Sequence, residues 1–190
     1  MKLKFTEINK SKGVDLAYIK IDKEMLPGLE KPYKFLTIDR FRKHNQMLDG
    51  SNYCVLGFPE KNLKIENGTL ATGASFYLTS STNEKPYNYY KLDKNDFFIV
   101  TMKGKGKDLL NNEISSIDSR FYGLSGGGLW LLIYTLDPLT NSYTADYKLI
   151  GILTEFKKCK YFCLIANKIH LIINAFKVIE GLKFNEKLVK

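Results

Sequence analysis

A chain of 190 residues, of which 44% are apolar and 13% aromatic, is long enough to bury a hydrophobic core as one large or two small domains. The net charge of +9 comes from lysines scattered along the chain. The lysines form no continuous basic helix, and the chain has no zinc-finger spacing and no RNA-binding aromatic motif. We therefore expect no specific nucleic-acid partner. A nucleic-acid function would depend on net charge alone.

Cysteines and apolar runs exclude several further classes of protein. Cys54, Cys159 and Cys163 are an odd number, which argues against a disulfide framework, and no second Cys/His pair stands in register for zinc. We therefore expect no metal and no cofactor. The amino terminus has no apolar segment of the signal-peptide kind, and no run approaches the roughly 18 apolar residues of a membrane span. These features predict a soluble, cytoplasmic protein without a membrane partner.

The first predicted element is a strand over residues 13–21, rich in β-branched and aromatic residues. Asp15 stands near its start, either at a solvated strand end or as a buried carboxylate with a partner. Residues 27–50 follow as a connector with two prolines. His44 lies in its charged patch, where an exposed loop or the end of a helix is the ordinary setting.

Further apolar runs predict short strands along the remaining chain, at 53–59, at 65–78 as one or two strands, and at 97–102, 129–134, 147–153 and 160–165. The polar segment 80–88 predicts a loop. The turn signals at 137–142, between two apolar runs, predict a hairpin. Residues 167–179 carry apolar side chains at helical spacing and predict a closing helix with Asn167 as its N-cap and His170 as a packing or surface residue.

A serine surrounded by glycines at 121–130 is the strongest functional signal. A serine that attacks a carbonyl needs an exposed hydroxyl on a tight turn, with backbone N–H groups directed at the developing oxyanion. The glycines at 123, 126, 127 and 128 permit such a turn around Ser125. The alternative is a simple glycine loop that leads into a buried strand, and the motif alone does not decide between the two.

Three other glycine motifs compete with this interpretation. Neither 123–128 nor 103–107 matches the phosphate-binding P-loop, and the β-forming residues after Ser125 do not suit a dinucleotide fingerprint, which opens a helix. Residues 123–127 do satisfy the G-x-S-x-G elbow of α/β-hydrolases, with acids and a histidine downstream at Asp137, Asp146 and His170. That elbow leads into a helix, whereas a strand-like run follows here, so it stays the lesser alternative.

Many short strands and one terminal helix predict a mainly β protein, an antiparallel β-barrel with a C-terminal helix. Four stretches then resemble, in the same order, motifs of the trypsin-like (chymotrypsin-fold) serine peptidases of bacterial type: Asp15-Leu-Ala-Tyr-Ile19, Val55-Leu-Gly-Phe-Pro59, Gly123-Leu-Ser-Gly-Gly-Gly128 and Leu149-Ile-Gly-Ile-Leu153. The resemblance covers approximately residues 13 to 180. It implies that the barrel is the second barrel of that fold.

The resemblance also implies a catalytic site that hydrolyses peptide bonds through an acyl-enzyme. Ser125 would be the nucleophile, Asp15 would orient a histidine, and the backbone N–H groups of Gly123 and Ser125 would form the oxyanion hole. A peptide or protein would be the substrate. The substrate cleft would include Ser119, Ile152, Leu153 and Thr154.

The resemblance divides the chain into a remnant of a first barrel (1–26), a linker (27–50), the second barrel (51–166), the C-terminal helix (167–182) and a tail (183–190). In chymotrypsin the histidine precedes the aspartate, yet residues 1–14 contain none. The chain would then be a portion of a longer peptidase, or a separate N-terminal barrel or partner chain would supply the base, or His44 would be a displaced base. The other possibility is an inactive, pseudoprotease-like module that binds peptides or proteins by strand addition at 150–154.

Overall fold

The computed structural model describes residues 5–8, 16–31, 34–48, 52–60, 63–66, 69–101, 105–107, 114–116 and 121–181. Every structural statement below concerns these residues. The protein is mainly β, with twelve strands in the described ranges: β1 (Phe5–Ile8), β2 (Leu16–Ile19), β3 (Asn52–Gly57), β4 (Leu63–Glu66), β5 (Thr69–Thr72), β6 (Ser75–Ser81), β7 (Phe97–Thr101), β8 (Lys105–Lys107), β9 (Ile114–Ser116), β10 (Gly128–Asp137), β11 (Ser142–Lys157) and β12 (Cys163–Lys168). The α-helices are α1 (Leu26–Glu30), α2 (Glu84–Tyr90) and α3 (Ile169–Glu180). Two short 3-10 helices cover Lys23–Met25 and Ile38–Arg40.

Six of the strands form one antiparallel sheet that closes on itself. Strands β3, β6 and β7 form a first run of neighbours, and β10, β11 and β12 form a second. The two runs join along both sides, since β3 pairs with β10 and β7 pairs with β12. We call these six strands the closed sheet. The hairpins β1–β2, β4–β5 and β8–β9 are separate two-stranded sheets.

Alternating side chains fill the inside of the closed sheet. Leu129 and Leu131 of β10 are both buried, while Trp130 between them is only half-buried, as expected for a strand with one face on the core. Val55 and Ile150 contribute to the same core and are fully buried. The core therefore lies within the ring of strands.

Helices cover part of the outside, so strand β7 is buried on both faces. Phe98 and Val100 face the inner core, whereas Phe97 and Ile99 pack in a second cluster with Tyr87 of α2. Helix α3 forms a third cluster through Ile169 and Ile173 against Leu149 of β11. The amphipathic spacing predicted for the closing helix thus has its partner in β11.

The structure confirms the predicted mainly β, antiparallel architecture and the C-terminal helix, with shifted boundaries. The strand predicted at 160–165 begins only at Cys163 and runs to Lys168. Consequently Asn167 lies within β12 and is not the N-cap of α3, which is Lys168 without a side-chain cap bond. The hairpin at 137–142 is confirmed, and Asn141 provides its left-handed position with φ 51°.

The loop predicted at 80–88 is wrong, because this segment contains helix α2. The side chain of Asn83 accepts a hydrogen bond from the backbone N–H of Lys85 and so caps the helix, which ends at Lys91 in a left-handed conformation. Tyr87 and Tyr90 of the helix pack against strands β7 and β12. Tertiary burial therefore outweighs the polar composition on which the loop prediction depended.

No helix in the described part of the chain is both long and apolar enough to cross a lipid bilayer.

Candidate functional site

The predicted serine lies on a tight turn directly before β10. Gly123 and Gly126, on either side of Ser125, both have φ 85°, in the left-handed region. The N–H of Gly127 donates to the carbonyl of Leu124 at 2.9 Å, which closes the turn. Leu124 is only 1% exposed and anchors the turn in the core, so the exposed Ser125 is presented on a fixed base. We call residues 121–128 the serine turn.

Close backbone contacts explain two of the glycines in the serine turn. A Cβ atom on Gly123 would lie 2.8 Å from the backbone nitrogen of Glu60, and one on Gly127 would lie 2.7 Å from the carbonyl oxygen of Leu56. Gly126, by contrast, has open space at its Cβ position. Gly126 is thus needed for its positive φ, whereas Gly127 is needed because no side chain fits beside the backbone of Leu56.

Strand β11 holds the serine turn from the other side. The N–H of Gly126 donates to the carbonyl of Leu153, and the N–H of Leu153 donates to the carbonyl of Gly127, both at 2.8 Å. The register between β11 and β12 shifts between Leu153 and Glu155, which leaves Thr154 as a bulge residue. The Ser125 hydroxyl donates to the Thr154 carbonyl at 2.9 Å.

An open cleft of about 360 Å³ lies beside Ser125. The glycines of the serine turn form one wall, and the side chains of Leu56, Phe58 and Trp130 contribute the apolar lining. We call this space the serine cleft. The indole N–H of Trp130 is buried and has no hydrogen-bond partner among the described residues. Because this nitrogen is buried, the ring and not its N–H forms the wall of the cleft.

The backbone N–H groups of Gly123 and Ser125, predicted to form an oxyanion hole, lie in this turn. Within the described ranges neither of them donates to a backbone carbonyl. Both residues line the serine cleft. Stabilising a tetrahedral intermediate would require both N–H groups to converge on one oxygen in this cleft.

Neither of the two histidines of the chain bonds to Ser125, whose hydroxyl has the Thr154 carbonyl as its one partner among the described residues. His44 instead forms a 2.9 Å hydrogen bond with the hydroxyl of Tyr53, near the start of β3. Gly57, which packs on the serine turn, lies at the other end of that strand, about 13 Å away in extended chain. A displaced base at His44 therefore has no support in the geometry.

Burial governs the protonation of both histidines. Burial, reinforced by the charges of Arg42 and Lys168, lowers the pKa of His44. Burial and Lys168 also lower the pKa of His170, which begins the first turn of α3. The pKa of each imidazole therefore lies below its ordinary value, which favours the neutral form.

The residues predicted to line the substrate cleft meet Ser125 only in part. Thr154 contacts it directly through its carbonyl. Leu153 reaches the serine turn through its backbone, while its side chain is 1% exposed and packs in the core. Ile152 packs toward α3. Asp15 and Ser119 lie outside the described residues, so the roles given to them stay predictions.

The local structure excludes the α/β-hydrolase alternative, since the serine turn leads into strand β10 and not into a helix. The acids considered for it serve other purposes. Asp137 caps the hairpin turn by accepting from the N–H of Leu139, and Asp146 forms ion pairs with Arg40 and Lys148. Among the described residues no group of three His, Cys, Asp or Glu side chains is placed to hold a metal ion.

Two features of this site were missed by sequence reasoning. The bulge that turns the Thr154 carbonyl toward Ser125 has no residue signature, because bulges follow from strand pairing. The position of Trp130 at the cleft could have been predicted, because the single tryptophan of the chain stands two residues after Gly128. A Cβ on Gly128 would lie 2.3 Å from that indole nitrogen, so Gly128 makes room for the ring.

Comparison of the chain with protein-family models, with curated proteins and with solved structures gives no match.

Proposed function

We propose that this chain is the nucleophile-bearing portion of a trypsin-like serine endopeptidase, with the closed sheet as the second barrel of that fold. The observation that carries the proposal is the serine turn: an exposed hydroxyl between two glycines at φ 85°, with the cleft beside it. The unengaged N–H groups of Gly123 and Ser125 support the same interpretation.

The chemistry would be acyl transfer. The Ser125 oxygen attacks a peptide carbonyl and its proton passes to a base, while the carbonyl oxygen, now negative, accepts from the Gly123 and Ser125 amides. The leaving amine takes the proton, and water then hydrolyses the acyl-enzyme. Because both histidines lie elsewhere, a separate N-terminal barrel or a partner chain would supply the base, which Asp15 would orient.

The test is phosphonylation of Ser125 with and without an added base. A fluorophosphonate probe is incubated with the protein in the presence and absence of free imidazole, and the modified residue is located by mass spectrometry. We expect slow labelling that imidazole accelerates about tenfold or more, since an adjacent base activates a serine hydroxyl. The Ser125→Ala variant provides the control, with Ser142→Ala as a matched exposed serine.

The peptidase proposal fails if imidazole produces no labelling at Ser125, or if Ser125→Ala is labelled at the same rate. Labelling of the Ser142→Ala variant should equal that of the unchanged chain. A rate that is already high without imidazole, and is lost in Ser125→Ala, would keep the peptidase proposal but refute a separate source of the base, because it would place a base within this chain or its self-association.

A second candidate, an inactive module that binds peptides, is favoured by the hydrogen bond from Ser125 to Thr154. That bond engages the nucleophile with a carbonyl instead of a base. Strand addition at 150–154 is not open to it, since Gly151 and Ile152 pair with strands on both sides and Leu153 bonds to the serine turn. A peptide would instead lie in the serine cleft, against the side chains of Leu56, Phe58 and Trp130.

Hydrogen exchange in the presence of a mixture of random hexapeptides tests this candidate. We expect slower exchange of the amides at 121–128, and about tenfold weaker binding in Trp130→Ala, which removes an apolar wall of the cleft. Unchanged exchange at 121–128 at saturating peptide would refute a binding role for the cleft.

A further inference from the structure

A second open cavity, of about 470 Å³, lies near the start of β3 and shares no lining residue with the serine cleft. Its lining comes from the segment 45–48, the segment 81–84 that leads into α2, Tyr87, Lys94, and the strands β7 and β12. Its volume falls within the range of about 300–1,000 Å³ that is usual for small-molecule sites. We call it the lysine cavity, after Lys168.

The ammonium group of Lys168 lies at the wall of this cavity. It donates to the backbone carbonyl of Asn45 and lies 4.5 Å from the centroid of the Phe98 ring, and both of these residues line the cavity. Lys168 as a whole is only 3% exposed. A charged side chain so deeply buried is unusual and needs compensation.

That compensation is incomplete among the described residues. An ammonium carries three N–H donors, and the Asn45 carbonyl and the face of the Phe98 ring are the only partners found for it there. No carboxylate of the described ranges forms an ion pair with Lys168, although Asp93 and Asp96 are near enough to influence it electrostatically. Within the described part of the chain, the ammonium therefore has N–H donors without an acceptor.

The other charges at the cavity cancel each other. Lys94 and Glu84, which both line it, form an ion pair. Lys168 thus brings to the cavity wall a positive charge without a close ion pair among the described residues, and the apolar Met47 and Phe98 line the cavity beside polar side chains. This combination suits a ligand with a single negative charge and an apolar skeleton, and it suits a multiply charged phosphate poorly.

We propose that the lysine cavity binds a small organic monocarboxylate, whose carboxylate accepts hydrogen bonds from the Lys168 ammonium while its carbon skeleton packs against Met47 and Phe98. A carboxylate adds a charge-assisted hydrogen bond to a buried cation that otherwise has only a carbonyl and an aromatic face. The site is independent of Ser125, so it stands whether or not the chain takes part in peptide hydrolysis.

The experiment compares charged probes with their neutral counterparts on the full chain. Benzoate and butyrate are titrated beside benzamide and butyramide, with inorganic phosphate as a further probe, and binding is followed by NMR chemical shifts and saturation transfer. We expect both carboxylates to bind at or below millimolar concentration and at least about tenfold more tightly than their amides, because the amides lack the charge. Phosphate should bind more weakly than benzoate.

Two variants and one control make the result specific. Lys168→Met keeps the length of the side chain but removes its charge, and we expect it to lose benzoate binding. Thr82→Phe, at the edge of the cavity, should block binding while leaving Lys168 in place, and it decides the question if Lys168→Met does not fold. Lys148→Met, which removes an ammonium from the surface of β11, should bind benzoate as the unchanged chain does.

The proposal is overturned if benzoate and benzamide bind alike, or if benzoate binding survives Lys168→Met or Thr82→Phe in folded protein. Absence of binding up to about 10 mM, well above the millimolar upper end of common Michaelis constants, overturns it as well. Tighter binding of phosphate than of benzoate would replace it with a phosphate site.

Discussion

Alanine substitutions at Gly123 and Gly126 should separate two costs that the serine turn imposes on its residues. Both glycines have φ 85°, so both variants place a side chain in the left-handed region. The space around them differs. A Cβ on Gly126 meets nothing within 4 Å, whereas a Cβ on Gly123 would lie 2.8 Å from the nitrogen of Glu60 and 3.0 Å from the carbonyl oxygen of Phe58.

The expected magnitudes follow from these contacts. The left-handed backbone costs an L-residue about 1–2 kcal/mol, so Gly126→Ala should lower the free energy of unfolding by about that amount. Gly123→Ala adds an overlap with backbone atoms, and overpacking typically costs about 1–3 kcal/mol more. Its total is therefore about 2–5 kcal/mol. Because Glu60 donates its N–H to the carbonyl of Tyr122, the neighbouring backbone cannot move away without losing that bond.

Urea unfolding, followed by the fluorescence of the single tryptophan Trp130, measures both variants. With a slope of about 2 kcal/mol/M, the midpoint should fall by about 0.5–1 M in Gly126→Ala and by about 1–2.5 M in Gly123→Ala. Equal shifts in the two variants would refute the reasoning, since they would mean that the contacts of Gly123 carry no cost. Unchanged midpoints in both would refute the left-handed conformation itself.

The histidines and cysteines give two further predictions. Burial lowers the folded-state pKa of His44 and His170, so the unfolded chain takes up protons first, and the free energy of unfolding should fall as the pH is lowered from about 7.5 to about 5. Urea unfolding measured at several pH values should show that the free energy of unfolding depends less on pH in a double variant with glutamine at both positions. An unchanged pH dependence would contradict the assignment. Cys159 is exposed, whereas burial raises the pKa of Cys54 to about 12 and that of Cys163 to about 11, so a thiol reagent should modify one cysteine in the native protein and all three in urea. Rapid modification of two or three thiols in the native state, counted by mass spectrometry, would show that the buried cysteines are accessible.

The sequence predicts most of the closed sheet because its strands have short apolar runs between turn residues. The strand at 97–102 and the hairpin at 137–142 are found with nearly the predicted bounds. The sequence does not show how far pairing with neighbouring strands lengthens each strand. Strand β11 reaches from Ser142 to Lys157, well beyond the predicted 147–153, since pairing with β10 and β12 extends it through polar residues.

The serine turn was predictable, and its surroundings were not. Glycines around Ser125 are a local signal for a turn with positive φ, and the structure has that turn. The bond to Thr154 depends on a bulge, and the distance of His44 from the turn depends on where the connector docks; both follow from tertiary contacts. A prediction of helix α2 required knowing that Tyr87 and Tyr90 would pack against the closed sheet.

The way the sheet closes also affects how the chain is made. As the polypeptide emerges from the ribosome, β3, β6 and β7 are available early, yet the partner of β3 is β10 and that of β7 is β12. Until residue 168 has been synthesised, one side or the other of this first run has unpaired N–H and C=O groups. Contacts so distant in sequence also slow folding. Nascent chains that stop before β12 should therefore bind chaperones or aggregate, whereas release of the complete ring should remove that tendency at once.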